Sequence, residues 1–306
     1  MAAAIREAGI FLVLNQDNGG LVSPLAGFWD WLREQKILSG QGVGISAWLR
    51  FFKLVLRGLT VGLVFTDPLR AVHLKSGNVI ACVSPKAAGC YRRLCRIYGG
   101  VELASRVVVV PHAVEPQFRF DGVRKHPQVA CLGRWHDAIQ KRPGLLMEVI
   151  GALVAVDEEV TVVIAGMEIP GLERWHQSLV SSQRDRVRLV GRVDRGRLGD
   201  ILRESRVFYS PSAFESFGIA AAEALCCGCS VVAGRSVSMA SFEWFVSEDS
   251  GSLAPGDGMQ EHLRTLRHEL DGWDAGRRDP QAISAIWSER LHADRVAAVV
   301  VEMAGG

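Results

Sequence analysis

From residue 128 onward, hydrophobic and polar positions follow a regular rhythm. The short apolar runs QVACLGRW (128–135), EVTVVIAGM (159–167), VRLVGRV (187–193), RVFYS (206–210) and SVVA (230–233) predict buried strands. Between them, KRPGLLMEVIGALVAV (141–156) and DRGRLGDILRES (194–205) predict helices, the second capped by Asp194. Strands alternating with helices at this spacing make βα units and a parallel sheet covered on both faces. Such sheets bind ligands at the carboxyl ends of their strands.

The first part of the chain is less regular. GIFLVLN (9–15) predicts a strand followed by a QDNGG turn, and FWDWLREQ (28–35) a short helix. ISAWLRFFKLVLRGL (45–59) predicts a longer helix, with Arg50, Lys53 and Arg57 along one side and Trp48, Phe52, Val55 and Leu59 around the rest. TVGLVFTD (60–67) reads as a strand. NVIACVSPKAAGCYRRL (78–94) reads as a strand, a turn at Ser84-Pro85 and a helix, and SRVVVVPHAVEP (105–116) as a last strand with its exit. The tail carries a charged loop, WDAGRRDP (273–280), and a helical pattern through AISAIWSERLHADRVAAVVVEM (282–303).

The chemistry concentrates in SPSAFESFGIAAAEALCCGCSVVAG (210–234). It reads as a strand end, a turn, a helix of about three turns starting near Ser216-Phe217-Gly218, a glycine stop at Gly228 and a buried strand. The helix is apolar all round except for Glu223, so it is a buried helix whose carboxylate needs a partner or gives up its charge. The free N–H groups at its start form an anion site, and Gly218 lets a ligand approach that backbone. From Gly218 to Glu223 the helix rises about 7.5 Å, roughly the reach from a diphosphate to the ribose of a nucleotide. Glu215 faces whatever lies beyond the diphosphate.

Composition narrows the picture only a little. At 306 residues the chain suffices for two domains, and 48% hydrophobic residues supply a sizeable core. A net charge of +2 points to no nucleic-acid partner. No secretory pattern opens the sequence and no uncharged apolar run is long enough to span a bilayer, so a cytoplasmic protein is expected. Cys226 and Cys229 make a formal C-x-x-C among seven cysteines, and small buried hydrophobes in a reducing compartment explain them better than redox or metal chemistry.

The pattern P-S-x-x-E-x-F-G, four further residues, E-A, a small-residue turn and a V-V strand resembles the E-x7-E motif of retaining GT-B glycosyltransferases, family 4 type (glycosyl transferases group 1). The resemblance implies an α/β fold of two Rossmann-like lobes with parallel sheets: residues 1–113 a short acceptor-side lobe, 114–285 the nucleotide-sugar lobe, and 286–306 a helix that can cross back. It implies that Glu215 holds donor-sugar hydroxyls and Glu223 the donor ribose, with Ser216, Phe217 and Gly218 completing the donor loop. The alternatives are an arginine partner for Glu223 and a surface role for Glu215.

The family's G-R-x(n)-K-G element reads GRWHDAIQKRP here, with a longer insert and Arg142-Pro143 in place of the glycine. It implies that Gly133, Arg134 and Lys141 meet the diphosphate, offsetting the charge on the leaving phosphate without a metal; ordinary surface charges are the alternative. Arg192 and Val193 are the implied nucleobase contacts, against a plain turn, and Gly166 gives the backbone room near the donor or makes a tight turn. PHAV reads as the interlobe linker. His73, placed in a connector, His112 and Asp67 are candidates for the polar group near the reacting carbon, and Gly19-Gly20 is the nearest match to the family's glycine turn.

No cofactor or metal is implied beyond the nucleotide-diphosphate sugar, and the acceptor is a saccharide, a lipid-linked or a small molecule. The 45–59 helix either lies on a membrane, basic side toward anionic headgroups, or packs on its sheet with that side in water. The reduced first lobe leaves a non-catalytic or partner-dependent nucleotide-binding protein as the alternative function. An epimerase is a third reading, which E-x7-E speaks against.

Overall fold

The computed structural model describes residues 9–16, 28–29, 32, 45–60, 68–167, 169–236, 239, 241–247 and 249–305. Asp67, Gly19-Gly20, the 61–67 stretch and most of the 28–35 helix lie outside the described residues.

The first lobe comprises β1 (Val13–Gln16), α1 (Ile45–Leu59), α2 (Pro68–Ser76), β2 (Val79–Cys82), α3 (Pro85–Ser105) and β3 (Val107–Val109). Its strands form a parallel sheet in the order β1-β2-β3, with Val13 opposite Val79 and Ile80 opposite Val107. Ser84 caps α3 by accepting from the Ala87 amide, with Pro85 next, where a missing N–H costs nothing. The helix kinks at Gly99-Gly100, whose φ of 72° at Gly100 leaves the helical region. Ile80, Cys82, Tyr91, Leu94 and Val107 form this lobe's core. His73, expected in a connector, lies on the exposed side of α2. The chain needs a turn there less than the sequence suggested, because Gly77 and Asn78 end the helix and their amides turn back onto Leu74 and Leu12.

The second lobe runs β4 (His126–Arg134), α4 (Pro143–Val156), β5 (Thr161–Met167), α5 (Pro170–Ser178), α6 (Ser181–Arg184), β6 (Val187–Gly191), α7 (Arg195–Glu204), β7 (Ser205–Ser210), α8 (Ile219–Cys226), β8 (Ser230–Gly234), α9 (Phe242–Phe245), β9 (Gly251–Ala254), α10 (Met259–Asp274), α11 (Pro280–Leu291) and α12 (Ala293–Gly305). Its six parallel strands take the order β6-β5-β4-β7-β8-β9, so the winding reverses between β4 and β7. A doubly wound sheet opens its ligand crevice at that reversal, beyond the carboxyl ends of the two strands.

Three sequence expectations are corrected. The helix after Glu215 begins at Ile219 and has eight residues, because Gly218 takes φ 82° and stands as its N-cap. Gly166, expected to make room for a donor, makes room for a strand. With φ 119°, it leaves a gap in which an added Cβ would fall 1.9 Å from the Gly133 carbonyl oxygen on the neighbouring strand. The helical pattern of the tail breaks at His292, whose ψ of 146° is extended. There the chain pairs with Val114 of the linker, and the His292 ring meets the Phe118 carbonyl at 3.0 Å. These bonds replace the helical ones given up at the break.

Among the described residues, contacts that join the lobes beside the linker include Val83, which packs into the second lobe's core, and two side-chain pairs. Lys86 Nζ lies 2.6 Å from Glu243 Oε1, and the His112 ring meets the edge of Phe217 with centroids 5.2 Å apart.

Candidate functional site

A cavity of about 390 Å³ opens at the β4–β7 reversal, and Gly133, Arg134, Lys141, Ser210, Glu215 and Gly218 are among its lining. Five of the sequence-selected residues therefore meet, although they come from three separate segments. Gly133 and Arg134 end β4, Lys141 sits just before α4, and Glu215 and Gly218 lie between β7 and α8.

The loop after β4 is tied internally and then to the Glu215 segment. Asp137 accepts from the Gln140 amide at 3.0 Å, so its carboxylate shapes the loop. The Ala213 amide donates to the Gln140 carbonyl at 2.8 Å, and the Gln140 side chain donates to the Phe214 carbonyl at 3.1 Å and to Glu215 Oε2 at 3.2 Å. Lys141 Nζ donates to Glu215 Oε1, which also accepts from Ser212 Oγ at 3.1 Å. Both partners of the Lys141–Glu215 pair are mostly buried, with side chains 16% and 12% exposed. The pair is therefore weakly screened. Arg134 differs: its side chain is 64% exposed, with Nη2 3.1 Å from Gln140 Oε1.

Gly218 is dictated twice. Its φ of 82° suits glycine, and an added Cβ would lie 2.5 Å from the Phe242 ring. The loop before it is pinned from the other side by a backbone bridge between Glu215 and Met239 and by Ser241 Oγ donating to the Ser216 carbonyl at 3.0 Å. Phe217 is buried against Phe245 and His112. Ser216 and Phe217 thus hold the loop's shape and stand outside the cavity lining.

Glu223 is 1% exposed on α8. Its Oε1 lies 2.7 Å from Arg195 Nη1, and among the described residues no other donor meets this buried oxygen. Burial pushes the carboxyl up from its ordinary value, and Arg195 pulls it part of the way back. The same guanidinium reaches Glu115 of the linker at 2.8 Å and lies over the Phe118 ring, 4.5 Å from its centroid. Arg195 opens α7, directly after the Asp194 cap. Arg192, before that cap, is exposed, and Val193 packs against the lobe's core. Gly191 turns there with φ 60°.

Sequence reasoning missed Gln140, Arg195 and Glu115. Nothing local marks Gln140. The charge of Arg195 at the first turn of a helix, where a cation opposes the dipole, was the one available signal. Cys226 and Cys229 are free and buried like the other cysteines. Cys229 is engaged with the Leu202 carbonyl at 2.9 Å, as a small core residue would be. Among the described residues, no helix is long and apolar enough to cross a membrane.

Residues 126–268 match the family model of glycosyl transferases group 1. One subunit of the Homo sapiens phosphatidylinositol N-acetylglucosaminyltransferase is 29% identical over 179 residues, 57% of this chain and 35% of that protein. The chain thus spans about a third of that relative's length. The fold is similar to the crystal structure of Anabaena Alr3699/HepE in complex with UDP and glucose (TM-score 0.61, 16% identity, 99% of this chain and 74% of that one). It is equally similar to sucrose-phosphate synthase from Thermosynechococcus elongatus (TM-score 0.60, 17% identity, 98% and 74%).

Proposed function

We propose that this chain, a GT-B-fold protein whose residues 126–268 match glycosyl transferases group 1, transfers a sugar from a nucleotide diphosphate to an acceptor hydroxyl. The observation that carries the reading is the Lys141–Glu215 pair lining the crevice where the winding reverses. A cation and a carboxylate stand side by side there, next to the N-terminus of α8. The cation and the free amides suit a diphosphate, and the carboxylate suits sugar hydroxyls.

In this reading Lys141 exchanges its carboxylate partner for the β-phosphate as charge develops on it, and Arg134 swings in from solvent. Glu215, released, accepts hydrogen bonds from the donor sugar. The buried oxygen of Glu223, met by Arg195 alone among the described residues, suits a ribose hydroxyl as a second donor. Arg192 and Val193, at the turn after β6, are proposed to meet the base. The bond between the anomeric carbon and the phosphate oxygen breaks, and the acceptor oxygen bonds to that carbon on the same face. The acceptor proton passes to the leaving phosphate, giving a nucleoside diphosphate. In this reading two side-chain cations do the charge stabilisation without a metal, and attack on the same face retains the configuration. The acceptor is a saccharide, a lipid-linked or a small molecule. The human relative named for N-acetylglucosaminyl transfer and the Anabaena structure holding UDP and glucose support a UDP-sugar donor.

The test is a thermal-shift panel with UDP, GDP, ADP and their sugars, followed by nucleotide release in the presence of candidate acceptors. A ligand at 100 times its Kd stabilises by about 2.7 kcal/mol, which raises Tm by several degrees. A shift with one nucleotide, reduced in Glu223→Gln, supports the donor site. No shift with any of them overturns it, and a shift without turnover leaves a nucleotide-binding protein that is not an enzyme alone.

A further inference from the structure

Among the described residues, Arg142 is the only non-glycine with a positive φ, 49° with ψ 58°. The conformation is unfavourable twice over. A side chain resists the left-handed region, and Pro143 pushes the residue before it toward an extended backbone. Such a backbone persists only where its surroundings over-determine it, and it points to a function. Arg142 joins two fixed pieces. Before it, the Lys141 amide donates to the Asp137 carbonyl at 2.9 Å; after it, the Leu146 amide of α4 donates to the Arg142 carbonyl at 3.1 Å. An extended Arg142 would turn the segment that carries Lys141 away from α4, and so away from Glu215.

What over-determines it comes from the far edge of the sheet. The Arg142 guanidinium reaches the Asp257 carboxylate at 3.2 Å and the Asp257 carbonyl at 2.9 Å, which ties the start of α4 to the loop between β9 and α10. That loop rests on a built floor. Gly234, at the end of β8, leaves the room: an added Cβ would lie 3.2 Å from the His262 ring and 3.8 Å from Asp257 Oδ1. The buried His262 ring is held in turn by Tyr209 Oη of β7 at 3.0 Å from Nδ1. Burial first and Arg142 next bring His262 down to about 4, so at neutral pH no imidazolium competes with Arg142 for Asp257. We propose that Arg142, anchored on Asp257, is the positioning residue for Lys141. Its left-handed backbone aims the Lys141 ammonium at Glu215 and, in the transfer reaction, at the leaving phosphate. The second aim rests on the glycosyl-transfer reading; the first stands on the Lys141–Glu215 pair itself.

The experiment is timed acylation of the full chain with acetic anhydride, read by mass spectrometry at each lysine. Lys141, buried beside Glu215, is expected to react slowly in the wild type. Arg142→Ala keeps the left-handed strain and loses the clamp, so Lys141 labelling is expected to rise about fivefold, equivalent to ~1 kcal/mol. Asp257→Ala should raise it less, because the backbone carbonyl at 257 still accepts from Arg142. Arg142→Gly loses clamp and strain together and is expected to recover most of the wild-type protection. Lys125, buried in the same lobe, reports global opening and should keep its wild-type rate throughout. With UDP-glucose as the probe, kcat is expected to fall in the order of the labelling while KM changes little. Lys141 labelling that is unchanged in Arg142→Ala, or that rises equally in Arg142→Gly, overturns the proposal. So does a rise shared in proportion by Lys125, the mark of a merely structural role. Labelling that rises without a fall in kcat overturns the aim at the phosphate. A wild type that turns over no nucleotide sugar overturns the transfer reading, and the labelling still decides the positioning of Lys141.

Discussion

Arg195 Nη1 lies 2.7 Å from Glu223 Oε1, so a half-exposed guanidinium at the start of α7 pairs with a carboxylate buried on α8. Through Nη2 the same group holds Glu115 of the linker at 2.8 Å. Ligand hydroxyls reaching Glu223 would therefore compete with, or complete, a contact that also touches the interlobe linker.

Replacing Arg195 by Ala leaves a buried carboxylate without its cation. Because the Arg195 side chain is 46% exposed, the loss is expected near 1–2 kcal/mol rather than the ~3–5 kcal/mol of a fully buried pair. The variant also changes the pH profile. The Glu223 pKa is already raised in the folded state, and removing Arg195 raises it further. A raised carboxyl pKa gives stability that is present below the unfolded value and lost as pH rises through the folded one. Urea denaturation of Arg195→Ala should thus show a steeper loss of stability above the ordinary Glu range, and Glu223→Gln should remove that slope.

Glu269 behaves in the opposite sense. Burial pushes its carboxyl up, but hydrogen bonds from Arg278, at 2.5 and 2.9 Å, and from Ser252 outweigh this and hold it below its ordinary value. Its stabilising contribution is present above the unfolded Glu pKa and disappears as pH falls through the folded one. Acid unfolding is expected to begin below about pH 4.3 and to be shallower in Glu269→Gln. Arg278→Ala should cost about 2–3 kcal/mol at neutral pH, since it strips the cation from the fully buried Glu269 while Arg278 itself is half-buried.

Lys141→Ala and Glu215→Gln both break one pair, yet they should differ in assays. In the proposed reaction Lys141 stabilises the leaving phosphate, so its loss lowers kcat by ~10²–10³-fold. Glu215→Gln keeps hydrogen-bonding capacity and is expected to weaken sugar-nucleotide binding more than UDP binding. Equal loss of UDP and UDP-sugar affinity in Glu215→Gln would contradict a role at the sugar.

Arg142 has φ 49° and ψ 58°, the left-handed region, which costs a non-glycine residue ~1 kcal/mol. Its guanidinium recovers part of this by reaching the Asp257 carbonyl at 2.9 Å and the Asp257 carboxylate at 3.2 Å. Arg142→Gly is expected to be near neutral, and Arg142→Ala about 1 kcal/mol less stable than Arg142→Gly. Thermal melts of the two variants measure the difference directly.

The regular part of the fold was legible because its signals are local. Apolar runs of strand length, the Asp194 cap, Pro143 at a helix start and the Gly228 stop each act within a few residues. The strand β9 escaped notice, since GSLA is four residues long with two of them only half-buried, too short for a pattern. The break at His292 escaped as well, because the residues on both sides favour a helix and only the distant Val114 and Phe118 compensate for leaving it.

The sequence by itself determined the order of strands and helices, the two carboxylates eight residues apart and the glycine between them, since period and turn chemistry are properties of neighbours. Only the tertiary structure decided what those groups meet. The order β6-β5-β4-β7 sets β4 between β5 and β7; the β7 side brings Lys141 onto Glu215 across 74 positions, and the β5 side packs Gly166 against Gly133. The start of α7 swings Arg195 over Glu223 in the same way. Such pairings depend on which strands lie side by side, and that choice is made by burying the sheet's two faces as a whole rather than by any residue's neighbours.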